Sequence, residues 1–320
     1  MSRIVVTGGA GRLGRSLVAG LVDAGHRVVS FDRETSSAAE LAGADQVAID
    51  LLDAPATEQA LRAQRADAVI HLAAIAVPFS APEDVIIRTN TALALSVLGG
   101  AAASGIRSIV AASSPTVLGY NAPGGWLPDR LPLDEDTPPR PWNAYALSKL
   151  VIEQTIGMLQ RQTGDDVRLA AFRPCYVIAP EEWRGAPTQQ GHTVRERLDD
   201  PALSAPALFN YVDARDVAHF VDALLADIGG IPNAETFFVG ADDALARRPL
   251  ADLLPQFVPG SDELAAGLTG TLPAFSNAKA RRLLDWAPRH SWRTELVDDD
   301  DAPIALSPSR RTEARKDVPV

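Results

Sequence analysis

The chain has 320 residues, 46% of them hydrophobic, one cysteine and a formal net charge of -11. That length can bury one large core and a smaller second lobe, because the buried fraction of a chain rises with its size. The acidic balance leaves no basic footprint for nucleic acid or an anionic membrane surface. Cys175 alone excludes an internal disulfide and a thiolate metal cluster.

Met1 and Arg3 lead straight into an apolar run, leaving no room for the charged and apolar regions of a signal peptide, so a cytoplasmic location is expected. Strands are predicted at Ile4–Thr7, Arg27–Asp32, Gln46–Ile49, Ala68–Leu72, Ser108–Ala112 and Arg168–Phe172, each bounded by Gly, Asp, Ser or Pro. Helical stretches separate most of them. The Ala-rich run Thr91–Ala103 is shorter than a membrane span and reads as a buried helix. Such alternation implies right-handed crossovers and a doubly wound α/β Rossmann fold whose parallel sheet is covered on both faces. Residues 1–173 are thus expected to bind a dinucleotide.

From about Pro174 to Asn210 the rhythm breaks, with many prolines and charges and the aromatics Tyr176 and Trp183. This segment reads as a substrate-side insertion. A helix over Ala214–Asp227, a strand at Thr236–Val239 and helices near Pro249 and Asn277 are expected to complete a small C-terminal substrate-binding lobe over residues 174–297, with some segments returning to the Rossmann core. The catalytic cleft then lies between the lobes. Residues 298–320 carry four consecutive aspartates followed by Arg310, Arg311, Arg315 and Lys316, the pattern of a solvated tail.

The first strand runs into Thr7-Gly8-Gly9-Ala10-Gly11-Arg12-Leu13-Gly14, and a helical pattern follows. Gly8 permits the tight turn, Gly11 lets the backbone approach a pyrophosphate, and Gly14 allows close helix packing while the helix N-terminus faces the anion. The second strand ends in Asp32, where a carboxylate accepts hydrogen bonds from a ribose diol and repels an added phosphate. NAD is therefore favoured over NADP. Arg12 and Arg33 oppose that reading, since either guanidinium could face a phosphate.

With these motifs the sequence resembles the extended short-chain dehydrogenases, the NAD-dependent epimerase and dehydratase family. Asp50-Leu51-Leu52-Asp53, His71-Leu72-Ala73-Ala74, Ser113-Ser114, Tyr145-Ala146-Leu147-Ser148-Lys149, Arg173-Pro174 and Tyr211-Val212-Asp213 fall in the family's order. The resemblance implies that Asp50 contacts the adenine amine, that Leu51 packs on the adenine, and that Leu72, Ala73 and Ala74 let the backbone pass close to the cofactor. Asn90 would hold a water or carbonyl. A helix cap at Asp50 and ordinary core alanines are the plainer alternatives. A homodimer packed through the Ala-rich helix and the Tyr145 helix is likewise implied.

Tyr145 and Lys149 are four apart on a helix and project from one face. A tyrosine is a poor base at neutral pH, but a nearby ammonium and a positive nicotinamide ring favour its phenolate. Tyr145 would then exchange a proton with a substrate hydroxyl while a hydride moves at the same carbon, and Lys149 would also bind the nicotinamide ribose. Ser114 is expected to hydrogen-bond the same oxygen, with Thr116 a secondary contact.

Family dehydratases place an Asp and a Glu directly after the Ser or Thr; Pro115 and Thr116 stand here, so dehydration loses its proton carriers. Nucleotide-sugar enzymes commonly read Arg-Pro-x-Asn, whereas this chain has Tyr176 in the Asn place. Arg184, Arg195 and Arg197 could pair with a phosphate or carboxylate. Glu181, Glu182, Trp183 and Arg184 could present an aromatic platform to a sugar or polyol, or equally form a solvated loop with one buried indole, and Gly124-Gly125-Trp126 could form a lid. Arg215 and Asp216 suggest an ion pair, and the histidines lack paired metal spacing, so no metal is expected. The favoured function is a dehydrogenase or reductase exchanging free NAD at a hydroxyl or carbonyl of a sugar-like molecule. The alternatives are an epimerase that retains NAD and a non-catalytic dinucleotide sensor.

Overall fold

A computed structural model describes residues 1–37 and 40–296. The four-aspartate segment and the expected tail lie outside the described residues. Strands β1 (Arg3–Thr7), β2 (Arg27–Asp32), β3 (Asp45–Ala48), β4 (Ala68–His71), β5 (Ser108–Ala112) and β6 (Arg168–Pro174) fall within two residues of the expected runs. Two short strands, β7 (Val177–Ile178) and β8 (Val212–Asp213), pair in parallel with each other. Strand β9 (Glu235–Val239) completes a seven-stranded parallel sheet of order β3-β2-β1-β4-β5-β6-β9.

The strands are apolar because both faces are covered. Along β1, Ile4 and Val6 point into one core and Val5 into the other, the period of two expected of a strand. Helices α1 (Arg12–Asp23) and α2 (Ala54–Gln64) follow β1 and β3. Helix α3 (Glu83–Ala94) continues through a π-helical turn at Leu95–Gly99 into α4 (Gly100–Ala103). This continuous helix begins at Glu83 rather than Thr91. Its 21 residues are long and apolar enough to cross a membrane by length and composition. Here Ala94, Val97, Leu98 and Ala101 are buried in the second core against Leu61 and Ile109.

Helix α5 (Ala144–Thr163) packs beside α3 on that same face. Helices α6 (Pro180–Trp183) and α7 (Val194–Asp199) follow β7, and α8 (Ala214–Asp227) follows β8. The last elements are α9 (Leu250–Phe257), α10 (Asp262–Ala265), α11 (Ala278–Leu284) and α12 (Trp292–Glu295).

Two expectations need correction. The strand expected at Thr236–Val239 within a separate lobe pairs instead with β6, as Phe172 aligns with Phe237, and so closes the main sheet. Helix α8 also belongs to the sheet layers. It crosses α1 where Gly20 meets Ala218 so closely that a Cβ on Gly20 would lie 2.5 Å from the alanine methyl. The other correction is Arg215, which pairs with Asp213 at 2.6 Å and Glu295 at 2.7 Å, not with Asp216. Asp216 instead accepts from the backbone of Arg289 and His290 and from the His290 ring. Adjacent helix residues point about 100° apart and do not face each other.

Candidate active site

Brought together at the carboxyl ends of β1, β4 and β5, the strand-to-helix turns open one cleft of about 960 Å³. Ligands bind such sheets there, where the chain leaves β1 for neighbours on opposite sides. At one end stand Gly8, Gly11, Leu13, Gly14, Asp32 and Arg33, with Asp50 and Leu51 beside them. Leu72, Ala73 and Ala74 continue the wall toward Ser114, Thr116, Tyr145 and Lys149.

Gly8 has φ +73°, and a Cβ there would lie 2.8 Å from the Ala73 nitrogen. A Cβ on Gly14 would lie 2.1 Å from the Gly8 carbonyl oxygen, so the helix can approach the turn only as glycine. Gly11 caps α1 without any side-chain hydrogen bond, leaving the helix N-terminus open to the cleft. Asp32 sits at the end of β2, its carboxylate accepting from the Ala10 nitrogen at 3.3 Å and the Arg33 nitrogen at 2.8 Å. An open helix terminus beside a bare glycine turn, with an acid one strand away, fits the pyrophosphate and ribose of a dinucleotide. Asp50 does not cap α2: Asp53 does, accepting from Ala56 at 3.1 Å, while Asp50 accepts from the Leu52 nitrogen.

Arg12 also borders the cleft, but its guanidinium is already engaged. It makes a bidentate ion pair with the buried Glu182 and donates to the Val177 carbonyl at 2.6 Å. The phosphate contact open to it in the sequence is thereby replaced by a strut between the glycine turn and the segment after β6. Asn90 is buried away from the cleft. Its side chain accepts from the Ile75 nitrogen at 2.8 Å and donates to Ser148 and to the Ile75 carbonyl, a carbonyl contact as expected, so it fixes the loop after β4.

Asn143 caps α5 by accepting from Ala146, and Glu83 accepts from the Ala144 nitrogen at 2.7 Å. This start aims Tyr145 and Lys149, one turn apart, at the end of β5. The Tyr145 phenol lies beside Ser114, whose hydroxyl accepts from Thr116 Oγ1 at 2.9 Å. Lys149 Nζ donates to the Ala112 carbonyl at 2.9 Å and lies 5.7 Å from the Tyr145 ring centre. Burial pushes the Tyr145 phenol up to about 12, with the Ser114 hydrogen bond opposing it, and pushes the Lys149 ammonium down to about 8. Without cofactor the phenol is therefore raised rather than lowered, because desolvation outweighs the Ser114 hydrogen bond. Glu153 receives Arg173 through two hydrogen bonds of 2.8 Å and Ser113 at 2.5 Å. Beside Lys149, burial and the lysine charge hold His71 down to about 3, so its ring is neutral and bonds Thr7 Oγ1 at 2.8 Å.

On the substrate side, Tyr176 lines the cleft, whereas Trp183 and Arg184 do not. Trp183 is buried in a satellite core with its Nε1 donating to Asp213 at 2.6 Å, and Arg184 is exposed and reaches the Pro180 carbonyl. Trp126 is tied to the Leu118 carbonyl at 2.9 Å and stacks edgewise on Tyr120, which anchors the loop expected to act as a lid. Tyr120, Asn121, Gln190 and Asn210 line the cleft and escaped sequence reasoning. Only Tyr120 carried a signal, its nearness to Ser114 after a strand end. The others come from loops without periodicity.

A profile of the NAD dependent epimerase/dehydratase family matches residues 4–240. The chain belongs to that family. UDP-glucose 4-epimerase of Azospirillum brasilense is 35% identical over 48% of this chain and 43% of its own, so the chain spans less than half of that relative. A 2-alkyl-3-oxoalkanoate reductase of Stenotrophomonas maltophilia is 28% identical over 79% of this chain and 74% of that protein. A solved short-chain dehydrogenase/reductase superfamily protein from Agrobacterium tumefaciens with bound NAD superposes with TM-score 0.67 at 24% identity, covering 92% of this chain and 94% of that one.

Proposed function

We propose that the chain is an NAD-dependent oxidoreductase acting at one hydroxyl or carbonyl carbon of a small sugar-like molecule and exchanging free coenzyme. The observation that carries this reading is the meeting of Tyr145, Ser114 and Lys149 at the middle of a cleft that runs to Asp32. Gly8, Gly11 and the open start of α1 would hold the pyrophosphate, and Asp32 the adenosine ribose. NAD bound there accepts or returns the electron pair of the substrate C–H bond. Ser114 holds the substrate oxygen, Tyr145 takes or gives its proton, and Lys149 turns from the Ala112 carbonyl to the nicotinamide ribose. With its phenol near 12, Tyr145 stays protonated at neutral pH and is poised as the acid for carbonyl reduction. Oxidation of an alcohol requires the Lys149 charge beside it.

Residues 1–173, joined by α8 and β9, form the cofactor-binding unit in this reading, and the remaining segments up to residue 296 form the substrate side. A homodimer through α3 with its π-helical extension and α5 is favoured by Leu95 of that extension and Leu147 of α5, which are 52% and 44% exposed. The buried free Cys175 suits the reducing cytoplasm.

An NAD-retaining epimerase is the second reading, favoured by the likeness to UDP-glucose 4-epimerase. Tyr176 opposes it. The two separate on the nicotinamide released from purified protein by denaturation. Little bound NAD with saturable binding of added NAD is expected; near-stoichiometric NAD would transfer the assignment to the epimerase.

A further inference from the structure

Three arginines lie in the segment after β7, and the structure separates them. Arg184 is exposed, and Arg195 borders a surface hollow beside Trp292. Arg197 is only 1% exposed. Its guanidinium lies over the Tyr176 ring at 4.2 Å, and Nη1 donates to Gln190 Oε1 at 2.6 Å. Arg197 Nε and the Tyr176 hydroxyl are both buried without a hydrogen-bond partner among the described residues. The acid that acts on Arg197 is Glu182, which Arg12 already holds. Glu182 is thus engaged by Arg12, and a buried cation without full compensation is costly.

The polarity of the cleft wall follows from this cation. A guanidinium has no acceptor, so the Gln190 oxygen must face Arg197 and its NH2 group is left for the cleft. Asn210 Oδ1 is likewise occupied, accepting from the Tyr176 nitrogen at 2.9 Å. Asn210 Nδ2 is engaged as well, donating to the Ala207 carbonyl, so the Gln190 NH2 group is the donor this end offers in front of a positive charge. We propose that it is a carboxylate subsite, so that the substrate is a hydroxy or oxo acid whose carboxylate accepts from Gln190 Nε2. Arg197 is a positioning residue there, holding the Gln190 amide by its oxygen and supplying the charge behind it. The inference rests on the oxidoreductase reading and narrows its substrate to an acid without a nucleotide.

The test uses NAD-loaded protein and isothermal titration with D-glucuronate and 2-methyl-3-oxobutanoate, each against its methyl ester, and with UDP-glucose. Each acid should bind at least about tenfold more tightly than its ester, about 1.4 kcal/mol. Arg197→Met should bring acid down to ester affinity, and Arg197→Lys should restore part of the preference. Gln190→Glu places a carboxylate against the acid and should weaken it by more than about tenfold with the ester little changed. It also serves if Arg197→Met does not fold, and NAD affinity reports the fold in every variant. Equal binding of acid and ester, tighter binding of UDP-glucose, or no binding of either acid at about 1 mM, the top of the usual KM range, overturns the carboxylate subsite. Those outcomes leave the oxidoreductase reading intact, which fails separately if Tyr145→Phe turns over normally.

Discussion

At the cofactor end of the cleft the wall is mostly main chain, with Gly8, Gly11 and Ala73 presenting backbone and Asp32 a single acid. At the substrate end it is side chains, with Tyr120, Tyr176, Gln190 and Asn210 drawn from loops up to 90 residues apart in sequence. A backbone surface suits a ligand common to a whole family, because glycines and strand ends fix it regardless of what the loops carry. A side-chain surface can be rewritten one residue at a time. Here Tyr176 and Gln190 line the wall with Arg197 behind them.

The largest expected effect joins the two ends. Tyr145→Phe deletes the hydroxyl that meets Ser114 and should lower kcat by about 10²–10⁴-fold on any alcohol or carbonyl the wild type turns over. NAD affinity, set by the backbone end, should hardly move in a fluorescence titration. A parallel loss of NAD binding would mean that the two ends are not separable.

Next in size is the strut between them. Arg12 is 24% exposed and Glu182 only 4%, so their ion pair is asymmetric. Arg12→Met strands a buried carboxylate and should cost about 3 kcal/mol by denaturant midpoint. Glu182→Gln leaves a guanidinium that still reaches water and the Val177 carbonyl, and should cost roughly 1 kcal/mol. Equal losses would show that burial of the acid is not what makes the pair matter.

Most of the backbone end was legible in the sequence. Apolar runs buried on both faces announce parallel strands, and the glycines sit where a turn and a helix approach demand them. The errors fall where distant partners decide. Thr236–Val239 reads as a strand, but only β6, some 60 residues earlier, shows that it joins the main sheet. Trp183 looks like a platform for a sugar, yet Asp213 gives its indole nitrogen a buried acceptor and turns it inward. Arg12 reads as a phosphate contact until Glu182, 170 residues on, claims it. Polar side chains in loops carry no period, and their roles are set by whichever charge the fold brings alongside.

Lys149 sharpens the comparison from the side of stability. Its folded value of about 8 lies below the ordinary 10.5, because burial opposes the ammonium. Between those values the unfolded chain binds more protons than the folded one, so the protein without cofactor should gain stability as pH rises from about 8 to 10.5. The penalty is fully present below about 8. Replacing the charge by a methionine removes that penalty but leaves the Ala112 carbonyl without its donor, so Lys149→Met should gain roughly 1–2 kcal/mol near neutral pH. The same change should abolish turnover, as expected where function keeps a destabilising group in place. Thermal unfolding across this pH range checks both statements. A variant less stable than wild type near neutral pH, or a wild-type profile flat across that window, would mean that solvent reaches Lys149 and that this part of the cleft is as open as its substrate end.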